Sequence, residues 1–108
     1  MNKIIMIGNL TKDPEFSTTA NGTNVCKFDI AINERYGEKD AVQYFHIVTW
    51  RGLAENCSKY LVKGNKVCVM GRLEVREYES KEGVKKTAVE VIADEVEFLS
   101  PKSSSDTE

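Results

Sequence analysis

Residues 42–78 read VQYFHIVTWRGLAENCSKYLVKGNKVCVMGRLEVREY, and a change of period inside this stretch decides the fold. Up to Trp50 the residues alternate as in a strand, with Val42, Tyr44, His46, Val48 and Trp50 on one face and Gln43, Phe45, Ile47 and Thr49 on the other. Neither face is purely apolar, so hydrophobicity alone leaves open which one looks outward. Leu53, Cys57, Tyr60 and Leu61 then recur at i, i+4, i+7 and i+8, which predicts one short amphipathic helix, with Gly64 as its C-terminal cap. From Lys66 to Tyr78 the alternation returns. Val67, Val69, Gly71, Leu73 and Val75 share one face; Cys68, Met70, Arg72, Glu74, Arg76 and Tyr78 share the other.

Working outward, Cys26, Phe28, Ile30 and Ile32 alternate with Lys27, Asp29, Ala31 and Asn33, a half-buried strand. Before it, Lys3 to Leu10 is a β-branched apolar run that reads as a strand buried on both faces or paired at an interface. Asp13-Pro14 and Asn21-Gly22 mark turns, and the polar stretch Asn33 to Ala41 reads as a loop. Gly83 marks a hairpin tip within a second loop, Glu79 to Thr87, and a last strand runs from Lys85 or Lys86 to about Leu99. Pro101 to Glu108 is a polar tail without core-forming residues and is expected to be disordered. The order is strand, strand, strand, helix, strand, strand. It predicts an all-β domain over residues 1–100 with one short helix, a five-stranded Greek-key barrel of the OB-fold type. Another small barrel with an inserted helix is the alternative.

Composition bounds the function without choosing it. The chain has 108 residues, 41% hydrophobic and 30% charged, enough for one domain with a modest core. No early apolar run has the length of a signal peptide or a membrane span, so a cytoplasmic location is expected. Cys26, Cys57 and Cys68 are odd in number and lack a C-x-x-C pair, which argues against a disulfide framework or a zinc site and for small buried hydrophobes. The net charge is −2, mildly adverse to a polyanionic ligand, although residues 1–89 carry 14 basic and 11 acidic side chains. A binding groove needs local rather than global positive charge.

A catalytic reading fails on the residues. The one histidine, His46, has no second metal ligand at useful spacing, and neither a nucleophile motif nor a phosphate-cradling glycine loop is present. No cofactor or metal is expected. The aromatics are more informative. Tyr36, Tyr44, Trp50 and Tyr78 stand on polar-flanked faces or loops with cations beside them: His46 and Arg51 near Tyr44 and Trp50, Arg72 and Arg76 near Tyr78. Any single Tyr or Trp is more often half-buried packing. Four rings interleaved with cations suit unpaired bases, because a ring stacks on every base and a cation neutralises the phosphate between.

The sequence resembles the bacterial single-stranded DNA-binding protein family from Met1 to about Leu99. The resemblance is carried by Met1-Asn2-Lys3-Ile4-Ile5-Met6-Ile7-Gly8-Asn9-Leu10 with Asp13-Pro14-Glu15, by Tyr44 to Trp50 followed by Leu53-Ala54-Glu55, by Tyr60 to Gly64, and by Val67 to Tyr78. It implies sequence-independent binding and protection of single-stranded DNA in replication, recombination and repair, by a homotetramer of such barrels associated with the nucleoid. It places base-stacking aromatics at Tyr36, Tyr44, Trp50 and Tyr78, basic contacts along the DNA path at Lys3, His46, Lys63 and Arg76, and Phe45 near a subunit interface. Arg51 and Arg72 join the phosphate contacts on local grounds. The sequence departs from the family in three ways. Tyr stands where some members have Trp; Glu77 stands where some have a basic residue; and the last residues, Ser103 to Glu108, lack the long linker, acidic cluster and terminal Phe by which members recruit replication and repair proteins. Two other readings compete: a protein-interaction barrel without DNA binding, suggested by the acidic balance and Glu77, and an RNA-preferring barrel of the cold-shock kind, disfavoured by the order of the blocks.

Overall fold

A computed structural model describes residues 1–100; the polar tail expected at 101–108 lies outside the described residues. The sheet is built from two long hairpins and a closing strand. In the first hairpin, β3 (Asn24–Tyr36) pairs antiparallel with β4 (Lys39–Trp50), in unbroken register from Val25 opposite Trp50 to Tyr36 opposite Lys39. The second pairs β5 (Lys66–Glu79) with β6 (Lys85–Phe98). A short parallel seam, Ile47–Val91 and Val48–Ile92, joins the hairpins through β4 and β6. β1 (Ile4–Leu10) runs along β5 and reaches β3 at Asn9–Ala31 and Leu10–Ile30, which closes the barrel. The five barrel strands, with α1 (Arg51–Tyr60) between the third and fourth, are the expected OB-fold.

The register settles which face of β4 is inside. Cys26, Phe28 and Ile30 are buried on β3, and their partners across the ladder are Thr49, Ile47 and Phe45. Tyr44, His46 and Trp50 therefore look outward. Phe45, expected near a subunit interface, is partly buried and packs against the core. Leu10, Phe28, Ile30, Ile47, Val67, Val69 and Val91 fill the barrel, and α1 plugs one end with Ala54 and Cys57. Thr49, buried among apolar residues, donates its hydroxyl to the Cys26 carbonyl at 2.8 Å, so its burial leaves no polar atom without a partner. The three cysteines are buried free thiols. Burial pushes the Cys57 thiol up to about 12 and Cys26 in the same direction, which keeps both protonated and inert.

Five sequence expectations change. The stretch 33–41 is no loop: β3 and β4 continue through it as a ribbon to a tight turn at Gly37, whose φ is 64°. The ribbon projects past the barrel, so its ladder is satisfied by backbone alone and needs no apolar face. The loop between β5 and β6 likewise shortens to Ser80–Val84, closed by a hydrogen bond from the Ser80 amide to the Val84 carbonyl. A further strand, β2 (Glu15–Thr18), pairs with the outer edge of β3; all four residues are exposed, so it carries no hydrophobic pattern. Helix α1 ends at Tyr60 with Leu61 as its cap, and Gly64 instead donates its amide to the Leu10 carbonyl, tying the next turn to β1. β1 itself buries one face only. Ile5 and Ile7 are 65% and 49% exposed on the other, and Ile4–Gly8 pair with β5 alone among the described residues.

Two glycines allow the barrel to close. At Gly8 a methyl group would stand 2.7 Å from the Ala31 carbonyl oxygen, where β1 meets β3. At Gly71 it would run into the Ile92 carbonyl and Ala93 Cα, at the bulge where the β5–β6 register skips Asp94. Such bulges bend the strand that carries the extra residue, here β6 at Asp94, and increase the local twist against β5. Substituting Gly71→Ala should therefore cost on the order of 1–3 kcal/mol of stability through backbone displacement. Urea unfolding would show the lowered midpoint, whereas Gly52→Ala, with open space around it, serves as the neutral comparison.

Candidate nucleic-acid interface

Alternation and register assemble one outward face from both hairpins. On β4 it presents Tyr44, His46, Val48 and Trp50, opposite Ala31, Asp29, Lys27 and Val25 of β3. On β5 it presents Arg72, Glu74, Arg76 and Tyr78, opposite Ile92, Glu90, Ala88 and Lys86 of β6. Val48 and Ile92 meet across the seam and form its apolar centre. Beyond the seam β4 and β6 separate, and a groove of about 550 Å³ opens, lined by His46, Arg76, Tyr78 and Thr87 to Glu90. The separation brings residues from three strands together. At the other end, a second groove of about 360 Å³ sets Trp50 and Arg51 against Thr19, Asn21 and Thr23.

The rings are available. Tyr44 is 66%, Tyr78 46% and Trp50 39% exposed on this face, a high density of accessible aromatic surface. Tyr36 stands apart. Its parity puts it on the opposite face of the β3–β4 ribbon, beside the turn, where its hydroxyl donates to Glu34 Oε1 at 2.6 Å. The same oxygen accepts from Gln43 Nε2 at 2.8 Å. The Glu34 carboxylate, through that hydrogen bond and its charge, raises the phenol above its ordinary pKa, so the ring stays neutral and tethered.

The cations are a mosaic. Arg72 lies 3.4 Å from Glu74, Arg76 lies 3.5 Å from Glu90, and His46 Nδ1 lies 2.6 Å from Asp29. Lys3 is set by its neighbour: the Asn2 amide donates to the Leu73 carbonyl at 2.7 Å and its oxygen accepts from the Leu73 amide at 3.1 Å. These side-chain bonds tie the segment before β1 to β5 just past the Ile4–Gly71 pair, with Lys3 between. Lys63 lies outside both grooves; its backbone amide donates to Asp13 Oδ1 at 2.8 Å, on the loop from which Lys12 reaches Asp29. Sequence reasoning missed Lys27 and Lys86, both exposed on this face, Lys27 opposite Val48 and Lys86 opposite Tyr78. The β3 alternation already pointed Lys27 outward; Lys86 needed the hairpin register. Glu77, read as diluting the positive face, has the parity of Val75 and pairs with Thr87; the carboxylates that do share the face are Asp29, Glu74 and Glu90.

Arg51 carries the one positive φ outside glycine among the described residues, 60°. The chain passes from β4 into α1 at this residue without a loop, and Trp50 caps the helix without a side-chain hydrogen bond. A left-handed non-glycine residue costs of order 1–3 kcal/mol and persists where its surroundings over-determine it. Among the described residues no group of three or more His, Cys, Asp or Glu side chains could hold a metal ion, and no helix is long and apolar enough to cross a membrane.

Known proteins resemble this chain in sequence and in fold. The Single-strand binding protein family matches residues 1–99. Single-stranded DNA-binding protein 1 of Staphylococcus aureus strain Mu50 is 45% identical over 112 aligned positions, covering all of this chain and 71% of the relative. Single-stranded DNA-binding protein 2 of strain COL is 42% identical, over 96% of this chain and 77% of the relative. Among solved structures, Plasmodium falciparum SSB in complex with ssDNA superimposes with a TM-score of 0.86 at 28% identity, over 93% of this chain and 96% of that one. With the barrel, the order of its strands and nearly its whole length accounted for, this chain belongs to the single-strand binding protein family.

Proposed function

We propose that this protein binds and protects single-stranded DNA without reading its sequence, as a non-catalytic component of DNA replication, recombination and repair. One observation carries the reading: three exposed rings, Tyr44, Trp50 and Tyr78, share a barrel face with interleaved cations, Tyr78 lining one groove of that face and Trp50 the other. A polymer of stacked bases joined by phosphates has the same alternation of flat apolar and anionic parts. The names of the curated relatives and the ssDNA in the superimposed complex support it.

In this reading Tyr44, Trp50 and Tyr78 stack on bases along the outer face, and Tyr36 takes a base where the strand passes over the edge of the β3–β4 ribbon. Lys3, His46, Arg51, Lys63, Arg72 and Arg76 meet phosphates, joined by Lys27 and Lys86. Because Arg72 and Arg76 already face Glu74 and Glu90, DNA must draw them from carboxylates, and binding is correspondingly moderated. The bare face of β1, with Ile5 and Ile7 exposed and the Ile4–Gly8 edge unpaired among the described residues, suits association of like subunits, in keeping with the homotetramer that the family resemblance implies. A nucleoid-associated place in the cytoplasm follows from the same ligand.

Trp50 is the sole tryptophan, so its fluorescence reports one position. Titration with oligo(dT) at low salt should quench it, and unchanged emission at saturating oligonucleotide would contradict the reading. Trp50→Ala and Tyr78→Ala should each weaken binding by about 1–3 kcal/mol while leaving thermal melting nearly unchanged. The affinity should fall with salt, log K dropping by about 0.7 for each phosphate neutralised per decade of salt concentration. Arg51→Gly separates strain from binding. It should hold or raise the melting temperature by relieving the left-handed backbone, yet weaken DNA binding and lower the salt slope by roughly one phosphate. Light scattering should give a tetramer.

A further inference from the structure

The single histidine of the chain stands inside the aromatic and cationic face, and its partner is a carboxylate. His46 Nδ1 lies 2.6 Å from an oxygen of Asp29, the residue directly across the β3–β4 ladder. An ionised carboxylate only accepts hydrogen bonds, so Nδ1 carries a proton and donates it. In the neutral ring Nε2 is then a bare lone pair. The side chain is 69% exposed and lines the groove with Arg76 and Tyr78, so this lone pair is what the ring offers to an incoming strand. A phosphate oxygen also only accepts. The neutral ring cannot hydrogen-bond it through Nε2; the doubly protonated ring can, donating to Asp29 from one nitrogen and to the phosphate from the other.

We propose that Asp29 is a positioning residue that holds His46 in its Nδ1–H form, so that a DNA phosphate engages His46 only with uptake of a proton. The inference rests on the single-stranded DNA reading above. The surroundings favour it. From β3, His46 meets Asp29 with Lys27 nearby; from the loop after β1, Lys12 reaches the other Asp29 oxygen at 3.9 Å; from β5 come Arg76 and Glu74, and from β6 Glu90, which holds Arg76 at 3.5 Å. β4 adds no other charged residue between Ala41 and Trp50. The hydrogen bond from His46 to Asp29 is the shortest contact in this set, and an arriving phosphate adds negative charge on the opposite side of the ring. Both stabilise the cationic ring in the complex.

Calorimetry of the full chain with oligo(dT), at fixed salt and pH in buffers of different ionisation enthalpy, tests this. The heat should vary linearly with buffer ionisation enthalpy, with a slope of up to about one proton per subunit, and affinity should fall by at most about tenfold per unit rise in pH. His46→Arg, permanently charged, should abolish both dependences and keep the tight binding at high pH; His46→Gln should abolish them and remain weak. Asp29→Ala should flatten the pH profile, and the ¹⁵N shifts of the neutral imidazole should move from the Nδ1–H to the Nε2–H pattern. Buffer-independent heats in the parent protein, proton uptake that persists in His46→Gln, or an unchanged tautomer in Asp29→Ala would each overturn the proposal. Binding with a flat pH profile removes this inference alone; no binding at any pH removes the underlying reading and the inference with it.

Discussion

Two cross-strand pairs, Ile47–Val91 and Val48–Ile92, join the hairpins by a parallel ladder, and the rest of the architecture follows from how short that ladder is. Each hairpin is long and internally paired along nearly its whole length. A seam of two rungs lets them share a core below and forces them apart above. Below the seam, Ile47 and Val91 are buried with Phe28, Ile30 and Val69. Above it, the strands no longer cover one another, and the side chains that would have been packed between them line an open groove.

Closure on the far side supplies the rigidity that the short seam lacks. β1 bridges β5 and β3, and it can approach closely because Gly8 and Gly71 present no side chain to the backbone against them. The helix fills one end through Ala54 and Cys57 and so leaves the outer face to the strands. Rings carried on strands of a closed barrel are held in fixed relation before any ligand arrives, which limits the ordering cost of binding. Such a surface suits a flexible polymer: the protein is the ordered partner, and the bases conform to it.

The face is an electrostatic mosaic rather than a positive stripe. Asp29, Glu74 and Glu90 sit among the cations and hold His46, Arg72 and Arg76 in place. Exposed pairs of this kind contribute little to folding. In the proposed binding mode their effect falls on affinity, because each cation exchanges a carboxylate for a phosphate, an exchange sensitive to salt. A net charge of −2 is compatible with this mode, because some of the carboxylates that make the chain acidic overall also orient the cations proposed to meet the anion.

Much of the fold was legible because local period reports local geometry: the alternation after Val25, the helical spacing from Leu53 and the return to alternation at Lys66 all correspond to β3, α1 and β5. What stayed hidden depends on register between distant strands. The exposed β2 has no hydrophobic signature, the polar β3–β4 ribbon reads as a loop, and only pairing with the buried Phe28 and Ile30 shows that Tyr44 and Trp50 look outward. The same register separates Tyr36 from the other rings and brings Glu90 beside Arg76. In the proposed reading, the outer face carrying Tyr44, Trp50 and Tyr78 makes the main DNA contacts, with Tyr36 and Lys63 beyond its margin. Photocrosslinking to an oligonucleotide carrying 5-iododeoxyuridine, followed by peptide mapping, tests it most directly. Adducts at Tyr44, Trp50 and Tyr78 are the expected result; adducts confined to Tyr60, more exposed than Trp50 or Tyr78 but carried on the helix, would contradict it.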